Sequence, residues 1–156
     1  IIAAGQPAGA ASYVFTTQLF GSNEVPPNAS PGFGTGSFTY DDVANDLFYD
    51  IVYGGLMAPV VAAHIHAAPE FVVGPVVHTF SPATSPIQGV WNDLSAQNVQ
   101  DLFAGSLYVN VHTTQFPGGE IRGQITAVPE AGTLALALSG FAGLGALRWR
   151  RSLSRG

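Results

Sequence analysis

The sequence predicts an all-β protein: an antiparallel β-sandwich followed by a single C-terminal hydrophobic helix. Between residues 13 and 127, short apolar runs alternate with clusters of Gly, Pro, Asn and Asp, which is typical of sandwiches and barrels. Residues 132–147 are uncharged and end directly at an arginine cluster, which is typical of a membrane-boundary helix. Only one short segment in the domain has helical periodicity.

Eight segments have the length and composition of strands. They lie near residues 13–20, 33–40, 46–53, 60–67, 75–80, 87–91, 106–113 and 119–126. The loops at 23–27 and 28–32 contain prolines, which fix φ and remove a hydrogen-bond donor, so no strand continues through them. We predict one helix of one or two turns at 95–103, with Ser95 as its N-cap.

The last two predicted strands form a hairpin with one apolar and one polar face. Pairing His112 with Glu120 across the turn sets Asn110 opposite Arg122 and Tyr108 opposite Gln124. The apolar face belongs to the core and consists of Leu107, Val109, Val111, Ile121 and Ile125. The polar face is either ordinary solvent surface or one wall of a site.

His64 and His66 are the strongest candidates for chemistry. They are two residues apart on a strand, so their side chains point to the same face. Neutral imidazoles so placed can ligate one metal ion, and His112 from the hairpin can supply a third ligand. Three histidines without cysteine suit copper or zinc. The alternative is that all three are hydrogen-bonded structural residues, in which case the protein needs no cofactor.

Other polar residues are assigned supporting roles. Asn110 and Glu120 are expected to hold ring nitrogens of the ligands as outer-shell partners. Arg122 is expected to pair with Glu24 or Glu120 and to fix a loop onto the sheet. His78 shares a face with hydrophobic neighbours and is not expected to join the cluster. No catalytic residue is predicted.

The charge distribution of the domain excludes nucleic acid as a partner. From residue 13 to residue 127 there are nine acidic residues against one base, Arg122, and the chain has no lysine. A nucleic-acid-binding protein needs clustered basic residues to neutralise phosphates, and this domain has none. The chain also has no cysteine, which excludes disulfides, thiolate metal sites and a cysteine nucleophile.

Six motifs between residues 13 and 127 together resemble the CHRD domain. They occur in order as NEVPP (23–27), AHIHA (63–67), GPVV (74–77), GVW (89–91), LYVNVHT (107–113) and PGGEIRGQI (117–125). The resemblance implies an immunoglobulin-like or superoxide-dismutase-like β-sandwich that acts as an extracellular module, and it implies no settled biochemical activity. The His-Ile-His pair is also similar to copper/zinc superoxide dismutase, although the bridging histidine and zinc loop of that family have no counterpart here.

The C-terminal segment 128–156 resembles the PEP-CTERM sorting signal of Gram-negative bacteria. Its parts are Val-Pro-Glu-Ala with Pro129 and Glu130, the apolar run 132–147, and a basic end at 148–155 with Arg148, Arg150 and Arg151. The usual third residue is proline, where this sequence has Ala131. The resemblance implies recognition by an exosortase, transient anchoring in the membrane and removal of the tail.

These observations divide the chain into three parts. Residues 1–12 are interpreted as the remnant of a signal peptide or a disordered leader, 13–127 as the domain and 128–156 as the sorting tail. The leading hypothesis is a non-enzymatic module of the cell surface or extracellular matrix that binds exopolysaccharide or surface proteins. The alternatives are a copper- or zinc-binding protein with redox activity, and a homo-oligomeric subunit of an extracellular fibre.

Overall fold

A computed structural model describes residues 11–129 of the chain. The described part contains nine strands, one short 3-10 helix and one α-helix. In chain order they are β1 (Ser12–Phe20), a 3-10 turn (Gly21–Asn23), β2 (Phe33–Asp41), β3 (Asp46–Gly54), β4 (Val60–Ala67), β5 (Val76–Thr79), β6 (Ile87–Trp91), α1 (Ala96–Phe103), β7 (Leu107–Thr113), β8 (Ile121–Gln124) and β9 (Thr126–Ala127). The predicted all-β class and the eight predicted strands are confirmed, with β9 as an addition.

All the strands pair antiparallel in one continuous sheet. Its order is β5-β4-β7-β8-β1-β2-β3-β6, and β9 pairs with β1. The sheet curls until its two end strands meet: the ring of His78 on β5 stacks on Trp91 on β6 with centroids 4.9 Å apart. The architecture is therefore nearly a barrel, a single rolled sheet whose two halves face each other as the layers of a sandwich do.

Alternating apolar side chains on the strands form the core inside the roll. Phe15, Leu19, Phe38 and Ile51 are each at most 1% exposed, and they come from three neighbouring strands. Because side chains alternate between the faces of a strand, the period-two pattern of the sequence determines which residues enter this core. The members of the core from β7 and β8 include Val109, Val111 and Ile121, as the hairpin prediction required.

Within residues 11–129, the one α-helix closes one end of the roll. Ser95 caps it as predicted, since its hydroxyl accepts a hydrogen bond from the Asn98 backbone N–H at 3.1 Å. Leu102 is fully buried in the core, and the ring of Phe103 packs edge-on against Phe15 with centroids 5.4 Å apart. The helix covers apolar surface that the curled sheet leaves open.

The predicted hairpin register is confirmed, since Asn110 pairs with Arg122 and Tyr108 with Gln124. The polar face of β7 is not solvent surface, because all seven residues of the strand are buried. The chain segments 21–32 and 68–75 cover it. Asn23 and Asn28 attach the first segment by donating to the backbone carbonyls of Arg122 and Glu120, both at 3.1 Å. On the outer face of the sheet, the polar side chains of β7 are therefore buried beneath these loops.

Several sequence predictions concern residues outside the described range 11–129. They are most of the expected leader, the apolar run 132–147, and the sorting residues Glu130, Arg148, Arg150 and Arg151. Pro129 is the last described residue and is exposed. Within residues 11–129, no helix has both the length and the apolar character needed to cross a bilayer.

Candidate metal centre

Two neighbouring strands bring three histidines together on the covered polar face. His64 and His66 lie two residues apart on β4, so both rings point to the same side. On β7, Asn110 pairs with His64 and His112 pairs with Ala62, which makes His112 the diagonal neighbour of His64. One ring nitrogen from each histidine lies within 4.8 Å of the other two. The predicted grouping of these three residues is observed in the geometry.

The nitrogens are close to the separations that a metal ion requires. His64 Nδ1 lies 3.1 Å from His112 Nε2. In a tetrahedral site with metal–nitrogen bonds of about 2.0–2.1 Å, neighbouring ligand nitrogens are about 3.3 Å apart. The His66 ring is slightly farther, with its centroid 5.6 Å from that of His64 and 5.9 Å from that of His112.

Backbone carbonyls fix the tautomers of two of the rings. His112 Nδ1–H donates to the Pro117 carbonyl at 3.0 Å, and His66 Nδ1–H donates to the Gly74 carbonyl at 2.9 Å. With the proton held on Nδ1, each ring presents the lone pair of Nε2 toward the cluster. The Nε2 atom of His66 is buried and has no hydrogen-bond partner. An unpaired buried acceptor is costly, and a metal ion would satisfy it.

All three imidazoles are held in the neutral form that a metal binds. Burial is the main cause that lowers the pKa of His64, of His66 and of His112 below the usual value. Mutual repulsion adds to this effect, since the His66 charge lowers the pKa of His64 and both lower that of His112. Because a protonated imidazole cannot donate its lone pair, the depressed pKa values favour metal binding at neutral pH.

The residues predicted to hold the ring nitrogens have other partners. Glu120 is fully buried and accepts hydrogen bonds from the Ser30 hydroxyl and the Met57 N–H, each at 2.6 Å, and from the Thr113 hydroxyl at 2.7 Å. Burial raises the pKa of Glu120, but these three donors outweigh that effect and the net result is a lowered pKa. Asn110 faces the Gly118 carbonyl at 3.5 Å. Backbone carbonyls, which no sequence motif marks, therefore replace the predicted outer-shell pair.

Arg122 fixes a loop onto the sheet, as expected, but through carbonyls instead of a carboxylate. Its Nη2 donates to Val72 at 2.9 Å and to Pro69 at 3.3 Å. The expected hydrogen-bonded ion pair with Glu24 or Glu120 is not formed among the described residues. The guanidinium still acts on Glu24 through its charge. Burial raises the pKa of the Glu24 carboxyl, and the positive charge of Arg122 lowers it by a smaller amount.

Tyr108 links Arg122 to the cluster, and sequence reasoning missed this role. The Tyr108 ring lies nearly parallel to His66, with centroids 5.0 Å apart and planes at 9°. Its hydroxyl accepts a hydrogen bond from the Gly74 N–H at 3.1 Å. Strand alternation did put Tyr108 on the histidine face, which was the available signal. His78 lies elsewhere, stacked on Trp91, as expected.

Comparison with known proteins identifies the family of this domain. A family model described as the CHRD domain matches residues 15–125. Chordin from Xenopus laevis is 29% identical over 120 residues, which is 75% of this chain and 13% of chordin. The chain thus spans about an eighth of the length of that relative. No solved structure matches the chain significantly.

Proposed function

The chain belongs to the CHRD domain family, and from its cluster of three imidazoles we propose that it is an extracellular binding module that holds a copper or zinc ion. His64, His66 and His112 are the ligands. The observation that carries the proposal is the unpaired Nε2 of His66, a buried acceptor in a group of three neutral imidazoles.

The ligand chemistry restricts the choice of metal. Three neutral nitrogens without a carboxylate or thiolate favour zinc or copper over the hard cations Mg²⁺ and Ca²⁺, which prefer oxygen. A three-nitrogen set leaves a fourth coordination position open, and His64, the least buried of the three, lies on the solvent side of the cluster. The open position allows either a bound water or a side chain of a partner molecule. We assign no catalytic reaction to the site.

Export is the second part of the proposal. It is supported by the sequence of the C-terminal segment, where Pro129 and Glu130 precede an uncharged run of sixteen residues and an arginine cluster. The run would form a single membrane helix, an exosortase would remove it, and the domain would reach the surface or exopolysaccharide matrix of a Gram-negative cell. In an exosortase-positive host, Glu130→Ala should leave the chain in the membrane fraction. Normal release of that variant would refute the processing step.

Metal analysis of the exported domain, purified without a histidine tag, tests the metal site. After incubation with copper or zinc and removal of excess ion, we expect about one equivalent of metal per chain by mass spectrometry. Less than about a tenth of an equivalent of either metal would refute the site. His64→Ala, His66→Ala and His112→Ala should each weaken binding by at least about tenfold, because each removes one of three ligands.

His78→Ala is the matched control, since it removes a half-buried imidazole that lies outside the cluster and whose pKa is also lowered by burial. Its metal content should equal that of the wild type. If His112→Ala retained full affinity while His64→Ala lost it, the three-histidine site would be wrong and a smaller site on β4 would remain.

A further inference from the structure

The outer face of β1, β2, β3 and β6 carries a row of polar side chains. The sheet register places Thr16 opposite Ser37 and Ser37 opposite Asp50. Asp50 in turn lies opposite Gln88 on β6. All four residues are exposed. The three histidines of the proposed metal site lie on β4 and β7, in the other half of the sheet, so this face is distinct from that site.

Two adjoining depressions run along β2 and β3 and meet at this row. The first has a volume of about 260 Å³ and reaches Phe48, and the second has a volume of about 350 Å³ and reaches Val52. Both are lined by Ser37 and Asp50, so they form one continuous groove. At about 3.4 Å per residue, the distance along β3 from Phe48 to Val52 is about 14 Å. A shallow groove of this length suits a segment of an extended polymer better than a small molecule, which needs an enclosing pocket.

The middle of the groove holds a carboxylate in a fixed position. Gln88 Nε2 donates to Asp50 Oδ2 at 2.8 Å, which restrains both side chains. The second carboxylate oxygen and the Gln88 carbonyl oxygen remain as acceptors, and the Ser37 hydroxyl beside them can donate or accept. Hydrogen bonds from hydroxyl groups to a carboxylate are about twice as strong as those between neutral groups. The centre of the groove is therefore suited to a ligand with several neighbouring hydroxyl groups.

Apolar side chains lie at both ends of the groove. Phe48 is 45% exposed and Val52 is 49% exposed. Thr39 lies opposite Phe48 and Thr35 lies opposite Val52, so a hydroxyl group accompanies each apolar side chain. A pyranose ring combines the same two properties, because its hydroxyl groups point outward from its edge while its carbon–hydrogen bonds form apolar faces. Such a face packs on an aromatic ring, whose π-surface is electron-rich.

We propose that the groove binds a segment of an uncharged polysaccharide, with Asp50 as the central acceptor and the Phe48 ring as a packing surface. Among the described residues that line the groove, Asp50 is the one charged group. The domain as a whole has nine acids against one base, so its field repels uronate-rich and sulfated chains. The inference names a partner for the binding module of the proposed function, and it rests on the proposed export but not on the metal ion.

A second copy of the domain is a less suitable occupant of the groove. A two-fold symmetric contact through its centre would bring the Asp50 carboxylates of both copies close together, and like charges repel at that distance. The core of a protein interface consists of packed large side chains, whereas here polar groups separate Phe48 from Val52. A hydroxyl-bearing sugar chain is complementary to both the polar centre and the apolar ends.

Titration with neutral hexasaccharides of glucose, mannose and galactose tests the proposal. Binding is followed by the amide chemical shifts of the domain in the presence of EDTA, so the result is independent of the histidine site. A hexamer of guluronate is the charged probe. We expect at least one neutral hexasaccharide to shift the amides of residues 35–39, 48–52 and 88 in a saturable manner, and the guluronate hexamer to shift none of them.

Two variants test the assigned contacts. Asp50→Asn and Phe48→Ala should each weaken binding of the neutral hexasaccharide at least about tenfold, because each removes one principal contact. Glu70→Gln and Phe71→Ala are the matched controls, since they remove an exposed acid and an exposed phenylalanine outside the groove. Both controls should bind as the wild type does.

Three results would overturn the proposal: no shift in the groove with any neutral hexasaccharide, equal affinity for the guluronate hexamer, or unchanged affinity in Asp50→Asn or Phe48→Ala. Shifts of the same amides that depend on protein concentration in the absence of sugar would assign the groove to a second copy instead. If a variant failed to fold, the location of the shifts in the wild type would decide. Metal content and release from the membrane are separate measurements, so failure of the groove can be distinguished from failure of the proposed function.

Discussion

The guanidinium carbon of Arg122 lies 3.5 Å from the centre of the Tyr108 ring. The opposite face of the same ring stacks on His66, so a cation, a phenol and an imidazole form one continuous stack. All three groups of the stack hold the 68–75 loop by hydrogen bonds. Arg122 donates to the carbonyls of Pro69 and Val72. The Tyr108 hydroxyl accepts from the Gly74 N–H, and His66 donates to the Gly74 carbonyl. The single base of the domain therefore positions a ring of the proposed metal site without touching it.

Arg122→Lys should weaken metal binding about tenfold and lower the free energy of unfolding by about 1–2 kcal/mol. Lysine keeps the charge but lacks the planar group that stacks on Tyr108 and reaches two carbonyls at once. Chelator competition and urea unfolding measure the two effects. Glu70→Gln, an exposed change in the same loop, is the control for both. An unchanged metal affinity in a less stable variant would show that the stack supports the loop without orienting His66.

The sequence predicted those parts of the site that depend on strand periodicity. Alternation placed His64 and His66 on one face of β4 and His112 on the polar face of the hairpin, and the turn fixed the register that pairs Asn110 with Arg122. Eight of the nine strands in the described residues followed from the same pattern. These features are local, because each depends on residues within one strand or one hairpin.

The remaining parts depend on where distant loops lie. The Gly74 and Pro117 carbonyls fix the histidine tautomers, but a backbone carbonyl leaves no mark in a sequence. Reasoning from charge paired Arg122 with a carboxylate, whereas loop carbonyls occupy its Nη2. Likewise, periodicity left open whether the polar face of β7 is solvent surface or the wall of a site, because it does not show that loops cover this face.

Glu120→Gln should destabilise the domain by about 2–3 kcal/mol at pH 7. The carboxylate accepts from Ser30, Met57 and Thr113, and an amide would oppose at least one of these donors with its own N–H groups. Because the folded-state pKa of Glu120 is lowered below 4.5, this stability is present above pH 4.5 and is lost as the pH falls through the folded-state pKa. Urea unfolding at pH 7 and pH 3 measures the effect. Equal loss at both values would contradict the assignment to the ionised carboxylate.

Glu24→Gln should have the opposite effect and stabilise the domain above pH 7. Burial raises the folded-state pKa of Glu24 from 4.5 to about 7. The folded state therefore holds the proton more tightly, and stability falls as the pH rises from about 4.5 to 7. An uncharged amide avoids that loss, so the variant should gain of the order of 2 kcal/mol at pH 8 and nothing at pH 4. Parallel stability curves for the two proteins would show that the carboxyl titrates normally.

Gly123→Ala should prevent stable folding, because β8 approaches β1 too closely for a side chain. A Cβ at this position would collide with the Gln18 carbonyl and the Thr17 hydroxyl, and the backbone of β1 is held on its other side by β2. We expect a loss of more than about 3 kcal/mol, from overpacking of rigid atoms at the place where the two halves of the sheet join. Gly118→Ala is the control, since its Cβ would meet nothing within 4 Å, and its thermal midpoint should be unchanged. A Gly123→Ala protein as stable as this control would mean that β8 lies farther from β1 than these contacts require.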